Sequence, residues 1–351
     1  LCRHALSYEE AQEVLTGAGS VHAEVDAALR LLDDRARLVR SARRARGALD
    51  LDLPEAKVVL DEQGKPIDIR RRDRLESHRL VEDYMVLANE VVANDMEASD
   101  LATMYRVHER PSPEKVDALV DTLSRFGVKL TAKKSLKPAD LQRVLDAVRG
   151  RQEETLVNNL VLRSLSRARY HTENLGHFGL ASSAYLHFTS PIRRYPDLVV
   201  HRVLAAVLIH RSEVPYLDRE ALVRLAEECS AREQAAAEAE RSSVALKKVE
   251  FMERHVGDDF SGRVSGVAAF GFFVTLEDFF VDGLVHVSGL NDDFYHYRER
   301  DQALRGEREG RSYRLGDRVQ VQVVRVDKEA RHVDFRILRK LSGAAKEGLS
   351  T

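Results

Sequence analysis

Residues 176–202 read GHFGLASSAYLHFTSPIRRYPDLVVHR, and this stretch decides how the rest of the chain is understood. Gly176 and Gly179 flank His177-Phe178, so backbone can approach another group closely there. Thr189-Ser190-Pro191 is a turn, and the paired Arg193-Arg194 follow it at once. A turn that presents fixed guanidinium groups beside small residues suits the gripping of phosphate oxygens. Asp197 comes after Pro196 at the head of the helical run LVVHRVLAAVLI, where its plain role is a cap or first-turn acid. A pre-positioned arginine has a direct use at a phosphodiester, because pentavalent phosphorus carries extra negative charge in the transition state.

Working outward, 351 residues leave room for two domains, one of them large. A hydrophobic share of 44% supports sizeable cores, while the charged share of 32% nearly cancels to a net −2. A balanced total can hide a local basic groove, so it does not exclude nucleic acid. Cys2 and Cys229 give neither a disulfide framework nor metal-ligand spacing and read as free thiols of a reducing cytoplasm. No run approaches the ~18 apolar residues of a membrane span. The N-terminal LCRHALSYEEAQEVL reads as a strand end entering a helix rather than a secretory signal, and without an initiating Met it reads as a fragment's start.

Residues 8–47 are expected to be two helices broken at Gly17, Gly19 and Ser20. Six arginines crowd the end of the second, between Arg35 and Arg46, as a solvated face or a phosphate-tracking edge. AKVVLDEQGKPIDIRR (56–71) looks like a hairpin turning at Gly64. A long helix follows from about Leu75 to Met96, its apolar face read as Leu80, Val81, Tyr84, Leu87, Ala88, Val91 and Val92. Glu82, Met85 and Asn89 form a neighbouring stripe, either ordinary surface polars or groups able to read a ribose or base edge. Ser112 and Pro113 open a further helix as N-cap and first helical residue. More helices follow to about 253, the last rich in alanine and glutamate.

Near His255 the pattern changes to short alternating strands with glycines, five in about 80 residues, which suggests a small antiparallel barrel. Residues 257–338 resemble an S1-type RNA-binding domain, a variety of OB-fold, through Gly262-Arg263-Val264, Phe270-Gly271-Phe272-Phe273-Val274, Gly283–Ser288 and Leu315–Val319. The resemblance marks Phe270, Phe273 and His286 as the RNA face. Alternation puts Phe270 and Phe272 together and Phe273 opposite, so a bulge near Gly271 is expected. A core role for each ring stays open, and Arg263, Tyr295 and Arg336 are weaker candidates for the same groove.

The block at 176–202, with Glu82, Met85, Ala88 and Asn89, closely resembles the ribonuclease II / ribonuclease R family of processive 3′-to-5′ exoribonucleases. The resemblance implies that Arg193 meets the scissile phosphate and that Glu82 contacts the 3′-terminal nucleotides. Asn89, His177, Ser190 and Arg194 join as substrate contacts, and Ala239-Glu240-Arg241 looks like a further family element that adds Glu240. His177, His187 and His201 stand 10 and 14 apart, which matches no common metal pattern, so structural or RNA-contact roles are expected. Two departures stand out: Leu186 where members carry a hydroxyl, and Leu51 and Leu53 where some carry a stacking aromatic.

The family's magnesium-holding run of aspartates is absent. Asp33-Asp34, Asp258-Asp259 and Asp292-Asp293 are isolated pairs, read as turns or helix surface. The resemblance implies that the two-ion site lies upstream of Leu1, so no metal ligand is assigned. The expected architecture is α+β: a mixed catalytic portion at 1–254, an all-β S1 barrel at 257–338 and a polar tail at 339–351. The expected activity is release of nucleoside 5′-monophosphates from single-stranded RNA by a cytoplasmic monomer with no membrane contact. A catalytically inactive RNA-binding protein of the same fold is the alternative.

Overall fold

The computed structural model describes residues 4–51, 53, 55–130, 136–151, 153–208, 217–298 and 302–341. In chain order the elements are α1 (Tyr8–Thr16), α2 (Ala23–Arg46), β1 (Ala56–Leu60), β2 (Pro66–Arg71), α3 (Glu76–Ala98), β3 (Tyr105–Val107), α4 (Pro113–Arg125), α5 (Pro138–Val148), α6 (Glu154–Ser164) and β4 (Arg169–His171). Then come α7 (Tyr195–Leu208), α8 (Arg219–Met252), β5 (Asp259–Ala268), β6 (Gly271–Leu276), β7 (Asp282–His286), β8 (Tyr295–Arg298), β9 (Ala303–Gly306), β10 (Ser312–Arg314), β11 (Arg318–Asp327) and β12 (His332–Lys340). Cys2 and residues 342–351 of the expected polar tail lie outside the described residues.

Two compact units divide the chain: Leu1–Leu53 with Asp73–Ala235, and Pro54–Arg72 with Ala236–Thr351. In the first, α1 and α2 meet at Gly17, whose φ of 79° caps α1 in the left-handed region, and Gly47 at 99° ends α2 the same way. One core joins Ala93 and Met96 of α3, Val107 of β3, Tyr170 of β4, Leu186, and Val199, Val200 and Val203 of α7. A second gathers α4, α5 and α6 around Leu123, Leu141, Val157 and Val161, with Phe178. Leu186 is fully buried, so the missing hydroxyl leaves no unpaired polar group and adds about 2 kcal/mol of burial.

The buried stripe of α3 differs from the expected one. It runs Leu80, Asp83, Val86, Asn89, Glu90, Ala93 and Met96, while Val81 and Val91 face solvent. The inward carboxylates are matched by arginines of α2: Asp83 binds Arg40 Nε at 2.8 Å and Arg43 Nη2 at 3.0 Å, and Glu90 binds Arg46 at 2.9 Å. Much of the arginine-rich end of α2 is therefore spent inside the protein. Asp33 is likewise buried, against Arg37 at 2.8 Å, and is no surface acid.

In the second unit β5, β6, β7, β12 and β11 close a five-stranded barrel, parallel only between β12 and β7. Its core includes Phe272, Val274, Val285, Val319, Val321 and Phe335, and the β1–β2 hairpin contributes Ile69 to it. The irregularity expected near Gly271 sits in β5 instead, between Val264 and Gly266. Phe270 lies in the turn before β6 and so escapes the strand's alternation. It is 49% exposed, Phe273 is 39% exposed, and Phe272 is buried. The sequence reading did not anticipate β8–β9–β10, a separate antiparallel sheet between β7 and β11.

Candidate phosphate-binding site

The block at 176–202 crosses the first unit as a loop running into α7 and is held by side chains from α3, β4 and α7. Asn89 of α3 uses both ends of its carboxamide: Nδ2 donates to the Tyr185 hydroxyl at 3.0 Å, and Oδ1 accepts from the Phe188 amide at 2.9 Å. Tyr170 of β4 lies 2.9 Å from His187 Nδ1 through its hydroxyl. His201 of α7 reaches the Phe188 carbonyl through Nε2 at 2.9 Å and stacks on that ring at 4.2 Å. Asn89 was read from sequence as a substrate contact, yet the structure places it beneath the loop with its polar atoms engaged.

Three histidines in this region are held neutral. His108 sits 3.0 Å from the Gly179 amide through Nδ1 and 2.8 Å from the Ser166 carbonyl through Nε2. That pair of partners requires the tautomer protonated on Nε2 only. His177 Nδ1 accepts from the Leu180 amide at 3.2 Å. Burial pushes His108 down, and it pushes His177 and His187 down to about 3, helped by nearby cationic groups. Unfolded histidine takes up its proton near 6.5, so below that pH the unfolded state binds more protons. Stability carried by neutral His177 and His187 is therefore whole above about pH 6.5 and drains away as the pH falls toward 3. At pH 5 each is expected to cost about 2 kcal/mol. Melting temperatures between pH 7.5 and 5 check this, and a His187→Gln protein should show a shallower fall; equal slopes would refute the assignment.

Ser190 to Asp197 form a stapled turn. The Asp197 carboxylate, 0% exposed, accepts the Ser190 amide and Arg194 Nη2 on Oδ1, both at 2.7 Å. The Ser190 carbonyl takes the amides of Arg193 at 3.3 Å and Arg194 at 3.1 Å. Arg194, read from sequence as a substrate contact, is thus half-buried and points inward. Arg193 is exposed at the apex beside Ile192, which is 97% exposed. Its guanidinium makes no hydrogen bond or ion pair among the described residues. The importance of Asp197 was missed, although its i,i+3 spacing from Arg194 was a readable signal.

A cavity of about 520 Å³ lies in the same unit, lined by α2, the segment 48–51, α3, α5 and α6. Six arginines (40, 43, 44, 74, 79 and 149) face it against four acids, Asp50, Glu82, Asp83 and Glu154. Glu82 is exposed and takes Arg74 at 2.8 Å. Burial pulls the Arg40 guanidinium down, but hydrogen bonds to Glu76 and Asp83 outweigh it and hold Arg40 above its usual range. Arg40 Nη2, Arg43 Nε and Nη1 and Arg79 Nε are buried without a partner among the described residues. Unpaired buried donors are costly, so this wall favours an anionic occupant. Leu51 lines it where some family members carry an aromatic.

Among the described residues no group of three or more His, Cys, Asp or Glu could hold a metal ion. Asp292 is taken by Arg311, Asp258 faces His255, and Asp293 accepts backbone amides. The residues present do not fit a two-cation site. On the barrel, Phe270 and Phe273 meet edge to face at 6.1 Å, and the exposed His286 pairs in register with Gly271 between them. Arg263 is held by Glu277, Arg336 by Gln322, and Tyr295 packs on Tyr313. Glu240 is exposed on α8, in the part belonging to the second unit.

The first unit thus carries an outward arginine on a stapled turn and an anion-favouring cavity, and the second an OB-type barrel with exposed rings. The chain belongs to the RNB family: the RNB domain matches residues 2–210, and the S1 RNA binding domain matches residues 253–338. It is similar to ribonuclease R of Aquifex aeolicus, with 40% identity over 96% of this chain and 48% of the relative. Ribonuclease R of Thermotoga maritima shares 44% identity over 86% of this chain and 43% of its own length. Mycoplasma genitalium RNase R, solved in its apo form and in complex with ribose methylated single-stranded RNA, superposes with a TM-score of 0.89 at 26% identity, covering 94% of this chain and 53% of that one. The chain spans about half the length of the curated relatives it matches. Among the described residues no helix is long and apolar enough to cross a membrane.

Proposed function

We infer that the protein is an exoribonuclease that binds single-stranded RNA and hydrolyses it processively from the 3′ end, releasing nucleoside 5′-monophosphates. Arg193 carries the reading: an exposed guanidinium without a partner among the described residues, on a turn fixed by a buried carboxylate, in a chain of the RNB family. Its role is to meet the charge that develops on the scissile phosphate. Ser190 shares the turn, and Glu82 and the arginines of the cavity contact the strand's 3′ end. Asn89 and His177 act from below by fixing the loop. Phe270, Phe273 and His286 give bases a stacking surface on the barrel, and Glu240 is a further substrate contact. The reading includes a cytoplasmic monomer. The magnesium ions implied by the family resemblance have no ligand set among the described residues, and no step runs through them.

That same observation favours a second reading, a catalytically inactive RNA-binding protein of the same fold. A 3′-labelled single-stranded oligoribonucleotide with magnesium separates the two. The 351-residue chain alone is expected to bind the strand and barely shorten it, whereas the full-length protein should release labelled mononucleotide. Rapid release by the 351-residue chain would refute the expectation, and none by the full-length protein would favour the inactive reading.

A further inference from the structure

The sheet β8–β9–β10 has two chemically different faces. Tyr297, Leu304 and Tyr313 are paired across it and belong to the apolar cluster of the barrel. The opposite face carries two cross-strand rows, Arg298–Ala303–Arg314 and His296–Arg305–Ser312. His296, Arg298, Arg305 and Arg314 are all exposed. A concavity of about 560 Å³ opens over this face, with His296, Arg298 and Arg305 among its lining residues.

Among the described residues the acids around it are already engaged. Glu307 faces His296 at 2.6 Å, and Glu309 and Asp292 both hold Arg311, at 3.1 and 2.6 Å. Asp293 accepts the amides of Phe294 at 2.7 Å and of Arg308 and Glu309 at 2.9 Å. Arg298, Arg305 and Arg314 are left without a hydrogen bond or ion pair from their side chains among the described residues. Along its two rows the face carries one ring, His296, which Glu307 engages, and the exposed Phe294 stands just before β8.

We propose that this sheet face binds the sugar–phosphate backbone of single-stranded RNA through Arg298, Arg305 and Arg314. Guanidinium groups set along a strand face read phosphate rather than base. It is thus distinct from the surface formed by Phe270, Phe273 and His286, which offers stacking. The inference rests on the RNA-binding reading above and adds a second strand contact to it.

Counterion release supplies the test. Each phosphate contact on a single strand contributes about 0.7 to the slope of log affinity against log salt. The triple variant Arg298→Gln/Arg305→Gln/Arg314→Gln keeps much of the side-chain stems and removes the charge. Binding of a fluorescent 20-nucleotide poly(U) strand to the full chain is measured from 50 to 250 mM KCl. The slope is expected to become shallower by about 2, with affinity at 100 mM reduced on the order of ten- to a hundredfold. Phe270→Ala/Phe273→Ala should weaken binding with little change of slope. If the aromatic variant loses affinity and the arginine variant keeps both slope and affinity, the second contact is refuted while RNA binding stands. If the unaltered chain binds no RNA, both fall.

Discussion

Arg193→Ala is expected to slow RNA hydrolysis by the full-length protein about 10²–10³-fold while changing RNA affinity by no more than a few-fold. The structure motivates both halves. The guanidinium is exposed at the apex of the Ser190–Asp197 turn and has no internal partner among the described residues, so its removal leaves no buried group unsatisfied. Stability should hardly move. In the proposed reading, ground-state affinity is spread over the cavity arginines and the barrel, and one contact among many is a small part of it. The transition state differs, because charge grows on the scissile phosphate and a fixed donor is worth most where charge develops. Single-turnover cleavage and equilibrium binding, measured on the same labelled strand, separate the two effects. A variant that loses affinity and rate in equal proportion would make Arg193 a uniform binding residue. A variant that loses melting temperature would make it structural.

The boundaries of many elements were legible because they depend on local chemistry. Gly17 and Gly47 end helices where left-handed backbone is needed, and Gly64 turns the hairpin. Barrel strands announced themselves by alternation. The inward face of α3 was not legible, for a physical reason. Hydropathy ranks Val81 and Val91 above Asp83, Asn89 and Glu90, yet the polar three point inward because their partners arrive from far along the chain. Arg40 lies 43 residues from Asp83, and Tyr185 lies 96 from Asn89. Pairing at that range leaves no periodic trace. The sheet β8–β9–β10 escaped for a different reason: its strands are three or four residues long, and three arginines and a histidine dominate one face. Within the site, a turn presenting Arg193 and Arg194 was readable from the residues, whereas the inward turn of Arg194 depended on a buried acid read as a cap.

That acid carries the largest expected effect on stability. Asp197→Ala should destabilise the first unit by about 3–5 kcal/mol, since breaking a buried pair strands the remaining charge. The carboxylate accepts the Ser190 amide and Arg194 Nη2 together, so its loss unpairs a part-buried amide and leaves the half-buried guanidinium only a long 3.4 Å contact to the Thr189 hydroxyl. Arg194 Nε already lacks a partner among the described residues, which leaves the guanidinium little alternative bonding. Asp197→Asn should cost less, because a carboxamide oxygen can still accept from Ser190. The double variant Arg194→Leu/Asp197→Ala should recover part of the loss, because no lone charge remains; pairs in direct contact are expected to be non-additive by about 0.5–3 kcal/mol. Denaturant unfolding of the unaltered protein, Asp197→Ala, Arg194→Leu and the double variant measures the cycle. Strict additivity would mean that Asp197 acts only through the Ser190 amide, and then the turn would owe its shape to one hydrogen bond instead of an ion pair.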